Sequence, residues 1–447
     1  MEILQSYNFI ILITSVVILS FLFNAVSERT NIPAVLMLIL TGILIKAGLA
    51  ALDVPDLDLG PILEIVGIVG LIMIVLEAAL DLELTKEKWP IIWKSFSVAL
   101  LGLIVSMFVS AWILRLTVPG MEENWLIAML YATPISILSS AIIIPSVGNL
   151  RQEKKEFHIY ESTFSDILGI MVFYFLQGLL ETQMEPGGKG GGTEVLKFFT
   201  FLLATVVISF LASYILVLLF QNLRSQVKLF MLISILVLLY AVGKQLHLSS
   251  LIIILIFGLV LSNHHLFFRG FLKRWLKEAR IKDVESDFHV VTVESAFLVR
   301  TFFFVIFGMT ISLASLWNLN VLLISLALLV SIYVVRWGLF VFFIKKDIVP
   351  QLYIAPRGLI TVLLFFTIPA EVQVAGFDSG ILLFIIIATS LIMAVALIAE
   401  GKRRSRMARL SSDPLVVPPE RIYEGFQSKL LAEKYQKESL TTPQKPE

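Results

Sequence analysis

The chain has 447 residues, 58% hydrophobic, 15% charged and none cysteine, with 33 phenylalanines and a mean hydropathy of +0.91. A water-soluble domain carries roughly 25% charged residues, so that class is excluded, and the lack of cysteine excludes disulfides and thiolate metal sites. The formal net charge of +1 averages over both sides of any membrane, so only the placement of the charges is informative.

Apolar runs of about 17 to 25 residues, enough to cross a roughly 30 Å hydrocarbon layer, recur along nearly the whole length. In chain order they predict membrane helices at 8–26, 33–50, 62–80, 91–115, 125–147, 157–180, 195–221, 227–245, 249–263, 291–311, 318–344, 353–370 and 378–400, thirteen in all. The fold class is an all-α polytopic membrane protein. The first run has no basic flank before it and leads directly into further spans, so it is read as a retained helix and not a cleaved signal.

Lys and Arg fall in alternate loops. One side holds Arg29, Lys86, Lys88, Arg151, Lys154, Lys155, Arg224, Lys228, six basic residues between Arg269 and Lys282, Lys345, Lys346 and the tail's "GKRRSRMAR"; the other holds little beyond Lys189 and Lys244. By the positive-inside rule the amino terminus is outside and the carboxyl terminus cytoplasmic, which requires an odd helix number. The expected location is the cell membrane.

Three regions interrupt the helices. "MEPGGKGGGTE" reads as a flexible external linker near mid-chain, suggesting two halves joined around the seventh helix. "LFFRGFLKRWLKEARIKDVESDF" reads as a basic amphipathic helix lying on anionic lipid. The predicted domains are therefore a transmembrane unit, 1–401, with repeats at about 8–180 and 227–400 and a linker helix at 195–221, and a polar, partly disordered tail, 402–447. That tail is too short for a nucleotide-binding domain.

A charge near the centre of a membrane helix costs about 2.5 to 3.5 kcal/mol on insertion scales, so interior charges are paired or functional. The candidates are Glu77, Glu161, Asp166, Arg300, Arg336 and Arg357. At 1.5 Å per residue, Asp166 lies roughly 13 Å above the cytoplasmic start of its helix and Arg336 roughly 12 Å above the cytoplasmic end of its own. Glu161 is also within reach of a long arginine side chain from that depth. In "YESTFSDILGIM" the i, i+4 pairs Glu161 with Ser165 and Ser162 with Asp166 form two adjacent stripes. The second offers a hydroxyl and a carboxylate facing one way, as a dehydrated hard monovalent cation requires. The first reads as half of a structural ion pair with Arg336. A purely structural role for all these groups is the alternative, weaker for Asp166 than for Glu161.

Two helices carry breaks. Pro134, among Thr133, Ser136, Ser139 and Ser140, removes a backbone hydrogen bond in the fifth, and Pro356 with Gly358 does so in the twelfth. Unwound backbone is tolerated in a bilayer only where it is buried or lines a cavity. Breaks at corresponding places in two halves of opposite orientation point to an inverted-repeat transporter with its site between them.

With these residues on the page, the chain resembles the monovalent cation:proton antiporter superfamily, particularly NhaP-like sodium/proton exchangers. The resemblance rests, in order, on "ERTNIPAVLMLILTGILI", "VLEAALDLEL", "ATPISILSS", "ESTFSD" against Glu-Ser-x-x-Asn-Asp, "RTFFFVIFGM" and "APRGLITV". It implies a transporter, not an enzyme, that needs no cofactor and moves Na+ (or Li+) against H+ by elevator-like alternating access as a homodimer in the bilayer. Its role would be pH homeostasis, and it would have no nucleic-acid partner.

The resemblance also implies roles for residues. Asp166 is the ion- and proton-binding carboxylate, Ser162 and Thr133 are further ligands of the monovalent cation, and Glu77 is a helper. Glu161 and Arg336 brace two helices, with Ser165, Pro134 and Arg357 in support. Ser165 replaces the family's Asn or Asp, which argues for one-for-one exchange and leaves selectivity open. Arg357 is expected at a helix C-terminus or a structural carboxylate, and Arg300 to snorkel. K+/H+ exchange and a transport-inactive membrane sensor or scaffold are the other readings.

Overall fold

A computed structural model describes residues 2–30, 32–51, 60–82, 84–85, 87–148, 150–184, 192–221, 228–245, 250–268, 277–310, 318–345 and 348–412. Most of the glycine-rich linker, residues 269–276 of the basic amphipathic segment and the tail from 413 lie outside the described residues. Packing divides the chain into two units, Met1–Val395 and Ala396–Glu447. The described part of the second is helical and holds an i, i+3 contact between Arg403 and Glu400.

The described residues form helices and no strands. They are α1 (Glu2–Thr30), α2 (Ala34–Ala51), α3 (Gly60–Leu80), α4 (Trp89–Thr117), α5 (Trp125–Ser136), α6 (Ser140–Ser146), α7 (Gln152–Met184), α8 (Gly192–Phe220), α9 (Lys228–Gln245), α10 (Ser250–Ser262), α11 (His264–Phe267), α12 (Glu278–Thr310), α13 (Leu319–Phe343), α14 (Leu359–Phe366) and α15 (Gly380–Ser412). Eight helical stretches among them are long and apolar enough to cross a membrane, and shorter apolar helices accompany them. The protein is a multi-span membrane protein.

Two packing sets position the site. In one, α12 lies on α2 and α3, and α10 lies on α3 and α8; in the other, α4 contacts α5, α7 and α13. The α2–α12 contact depends on glycine. A Cβ at Gly42 would overlap the Val305 carbonyl and stand 3.0 Å from the Gly308 Cα, and one at Gly308 would overlap the Ile39 carbonyl. Without side chains there, the two backbones touch, as small residues permit in lipid.

Two expectations are corrected. The span expected at 353–370 is α-helical only over Leu359–Phe366: a 3-10 turn, Gln351–Tyr353, precedes it and residues 354–358 are non-helical. Pro356 lacks an N–H and disfavours the helical conformation at Ala355, so no helix runs through that point, and α14 begins after its N-cap, Gly358. The later half of the segment expected to lie on lipid is the beginning of α12, continuous from Glu278 to Thr310. No proline interrupts it, and Ile281, Val284 and Phe288 supply a buried stripe at helical spacing.

Candidate functional site

The centre of the first unit is where two non-helical segments meet. Helix α5 stops at Ser136, three residues run extended or irregular, and α6 begins at Ser140. Pro134 is within α5, so the opening falls just past it, at 137–139. Two of its backbone donors have protein partners: Leu138 N–H donates to Ser165 Oγ at 3.0 Å and Ser139 N–H to the Pro356 carbonyl at 2.9 Å. Arg357 Nε donates to the Ile135 carbonyl at 2.6 Å in the last turn of α5, and Arg357 N–H to Thr389 Oγ1 at 3.0 Å. Backbone that would be costly in hydrocarbon is thus satisfied by protein. Gly358 permits the approach, because a Cβ there would overlap Ser139 Oγ.

Helix α7 passes this crossing and presents its two stripes to different neighbours. Glu161 is fully buried and meets Arg336 of α13 through two bonds, Nη1 to Oε1 at 2.8 Å and Nη2 to Oε2 at 3.0 Å. The guanidinium also donates to the carbonyls of Leu352 at 3.1 Å and Gln351 at 3.3 Å, and sits 4.3 Å from the centroid of the Phe340 ring. His158, fully buried one turn before Glu161, places Nδ1 3.0 Å from Glu161 Oε2, which fixes Nδ1 as the protonated nitrogen opposite a carboxylate. The third member was missed from the sequence, although its i, i+3 spacing from Glu161 was visible there.

Asp166, on the other stripe, has no such partner. It is 1% exposed, and neither carboxylate oxygen makes a hydrogen bond of ordinary geometry. The group it faces is Ser140, through both its hydroxyl and its amide. The hydroxyls of Ser139 and Thr163 are likewise buried without a hydrogen bond. Carboxylate and hydroxyl oxygens with free lone pairs are what a hard cation coordinates.

The other expected ligands are placed differently. Ser162 Oγ donates to the His158 carbonyl at 2.8 Å, and Thr133 Oγ1 to the Met129 carbonyl at 2.7 Å, each one turn back along its own helix. Both hydroxyls donate away from Asp166 and keep their lone pairs. Ser140, which faces Asp166, was visible in the sequence only as one hydroxyl among four near the break.

A cavity of about 510 Å³ leads to Ser140. Its walls come from α1, α2, α3, α6 and α12, and its polar lining includes Glu77, Asp81, Glu294 and Arg300. Arg300 does not snorkel: its Nη2 lies 3.0 Å from Glu77 Oε1, with both side chains largely buried. Further out, Asp81 meets His289 at 2.8 Å. A much smaller cavity, about 30 Å³, lies on the opposite stripe beside Glu161, Ser165, Arg336 and Arg357.

No curated protein matches the chain. Among solved structures it is similar to the sodium proton antiporter MjNhaP1 from Methanocaldococcus jannaschii at pH 8, with a TM-score of 0.63, 20% identity, and coverage of 90% of this chain and 100% of that one. An electron-microscopy map of MjNhaP1 from the same organism gives 0.60, 19%, 94% and 100%. At this identity the likeness is one of fold. In sequence, the family described as sodium/hydrogen exchanger, transmembrane, matches residues 13–410, and with the fold agreeing over the same length, the chain belongs to that family.

Proposed function

We propose that the protein exchanges a monovalent cation, Na+ before Li+, for H+, one for one, with Asp166 as the group that carries both. The observation that carries this reading is the isolation of Asp166: a fully buried carboxylate with both oxygens unpaired, one residue from the cavity that ends at Ser140. A bare charge there is too costly to persist, so the group holds either a proton or a cation. The two ligands compete for the same oxygens, and that competition is exchange.

The cavity is walled by the ends of α1, α3 and α6 and the start of α2, which lead to the basic loops, and by the middle of α12. The positive-inside rule makes that side cytoplasmic. The state described is then inward-facing, and the outward-facing state follows from an elevator-like movement of the crossing and α7 relative to α2, α3 and α12. We assign the inverted repeats to 8–180 and 227–400, the functional form to a homodimer, and its place to the cell membrane. Ser140, Ser162 and Thr133 complete the cation's oxygen shell as the site tightens.

The deciding experiment is transport by purified protein in liposomes under a pH gradient, with Na+, Li+, K+ and Rb+ offered in turn. Na+- and Li+-dependent proton flux is expected. Flux with K+ and Rb+ instead would make the protein a potassium/proton exchanger, and no flux with any cation would leave the sensor or scaffold reading.

A further inference from the structure

A separate cavity of about 390 Å³ lies between the first turns of α4, the beginning of α7 and the end of α13. Lys94, Arg151 and Lys154 line it against one carboxylate, Glu153, and Phe157 and Ile344 supply an apolar wall. Three cations and one anion around a concavity leave it net positive. Lys94 Nζ is 5.9 Å from the centroid of the Phe157 ring, so the cation is held at the wall and not left to sweep through solvent.

The depth of this cavity in the bilayer can be read from its neighbours. Trp89 and Trp93, in the same turns of α4 as Lys94, are 52% and 51% exposed and pack edge to face at 5.9 Å. Exposed tryptophans at a helix end mark the headgroup layer. The three cations therefore sit at the level of lipid phosphates, on the face where most of the chain's lysines and arginines fall. We propose that this cavity binds the phosphate of an anionic phospholipid from that leaflet, with the charged non-bridging oxygens on Lys94 and Arg151 and the glyceryl end of the chains against Phe157 and Ile344.

The site touches the brace on α7. Gln351 lines the cavity while its carbonyl accepts from Arg336 Nη2, and Leu352 beside it accepts from Arg336 Nε. A bound headgroup bears on the short segment that holds the partner of Glu161, so occupancy stabilises the folded protein.

The test titrates the purified full-length protein, in a neutral detergent, with dioctanoyl phosphatidylglycerol, dioctanoyl phosphatidylcholine and inorganic phosphate, following heat of binding and unfolding temperature. Saturable phosphatidylglycerol binding that raises the unfolding temperature is expected. K94Q/R151Q should weaken it about 30-fold and remove the stabilisation, two charges contributing roughly a factor of five each at the headgroup layer. R151Q alone, at an exposed position, should weaken it about fivefold and serves if the double variant is unstable. The proposal is overturned by absence of saturable phosphatidylglycerol binding, by equal binding in wild type and variants, or by phosphatidylcholine binding as tightly. Inorganic phosphate binding as tightly as the lipid would also overturn it, since the occupant would then be a soluble anion.

Discussion

Asp166 and Glu161 stand on one helix, five residues apart and equally buried, yet their surroundings give them opposite tasks. Glu161 has two bonds to Arg336 and one to His158, so its charge is matched and fixed; Asp166 has none. Asp166→Asn keeps the volume and removes the ionisable group, so exchange should fall to the background of protein-free liposomes while the protein still purifies as a folded species. Substantial turnover at saturating cation would sink the assignment. Arg336→Ala leaves Glu161 buried with His158 but without the guanidinium that matches its charge, and losing one partner of a buried pair costs about 3 to 5 kcal/mol. Its unfolding temperature in detergent should drop sharply, and Glu161→Gln with Arg336→Gln should recover part of the loss. An unchanged melting curve for the single variant would remove the brace from the account.

At the scale of elements, close backbone approach decides the packing. The α2–α12 seam has no room for side chains at Gly42 and Gly308. Gly42→Val should therefore destabilise the protein by about 1 to 3 kcal/mol through overpacking, read as a lowered unfolding temperature, whereas Gly338→Ala, with open space around its Cβ, should be close to neutral. At the crossing of the broken helices, Gly358→Ala pushes against Ser139 and strains the Ser139–Pro356 hydrogen bond. Because that bond holds α6 where Ser140 meets Asp166, the variant should lose transport out of proportion to stability. Equal proportional losses of both would show that Gly358 matters only for folding.

For the whole molecule, the matched charges determine the response to voltage. Arg336 neutralises Glu161 and Arg300 neutralises Glu77, which leaves Asp166 as the uncompensated carboxylate among the three. On the proposed reading, one proton or one monovalent cation crosses on each trip, and both loaded states carry the same charge. Exchange should not respond to a potential that would otherwise be worth about 2.3 kcal/mol per charge per 100 mV. Apparent cation affinity should weaken as pH falls, because protons take the oxygens the cation needs. Arg300→Gln leaves Glu77 without its partner and free to take up a second proton. Under valinomycin-clamped potentials in sodium-loaded liposomes, wild type should keep its rate and end point and Arg300→Gln should shift them with voltage. A voltage-dependent end point in wild type would refute one-for-one exchange.

The sequence by itself determined the membrane class, the approximate positions of the apolar helices, and the meeting of Glu161 with Arg336. Each follows from a strong local term: apolar length, alternation of basic loops, and the cost of an unmatched charge at a calculable depth. It also singled out Asp166, whose isolation makes sense only if it binds something. Tertiary structure decided the rest. Which peptides open near Pro134 depends on where Pro356 and Arg357 cross them, so the break lies at 137–139 and Ser140 faces Asp166. Arg300 pairs with Glu77, and does not reach for the interface, because α12 packs against α3 with those faces together. Helix rotation, and contacts between segments more than 200 residues apart, are set by packing of the assembled bundle, and no local pattern in the chain encodes them.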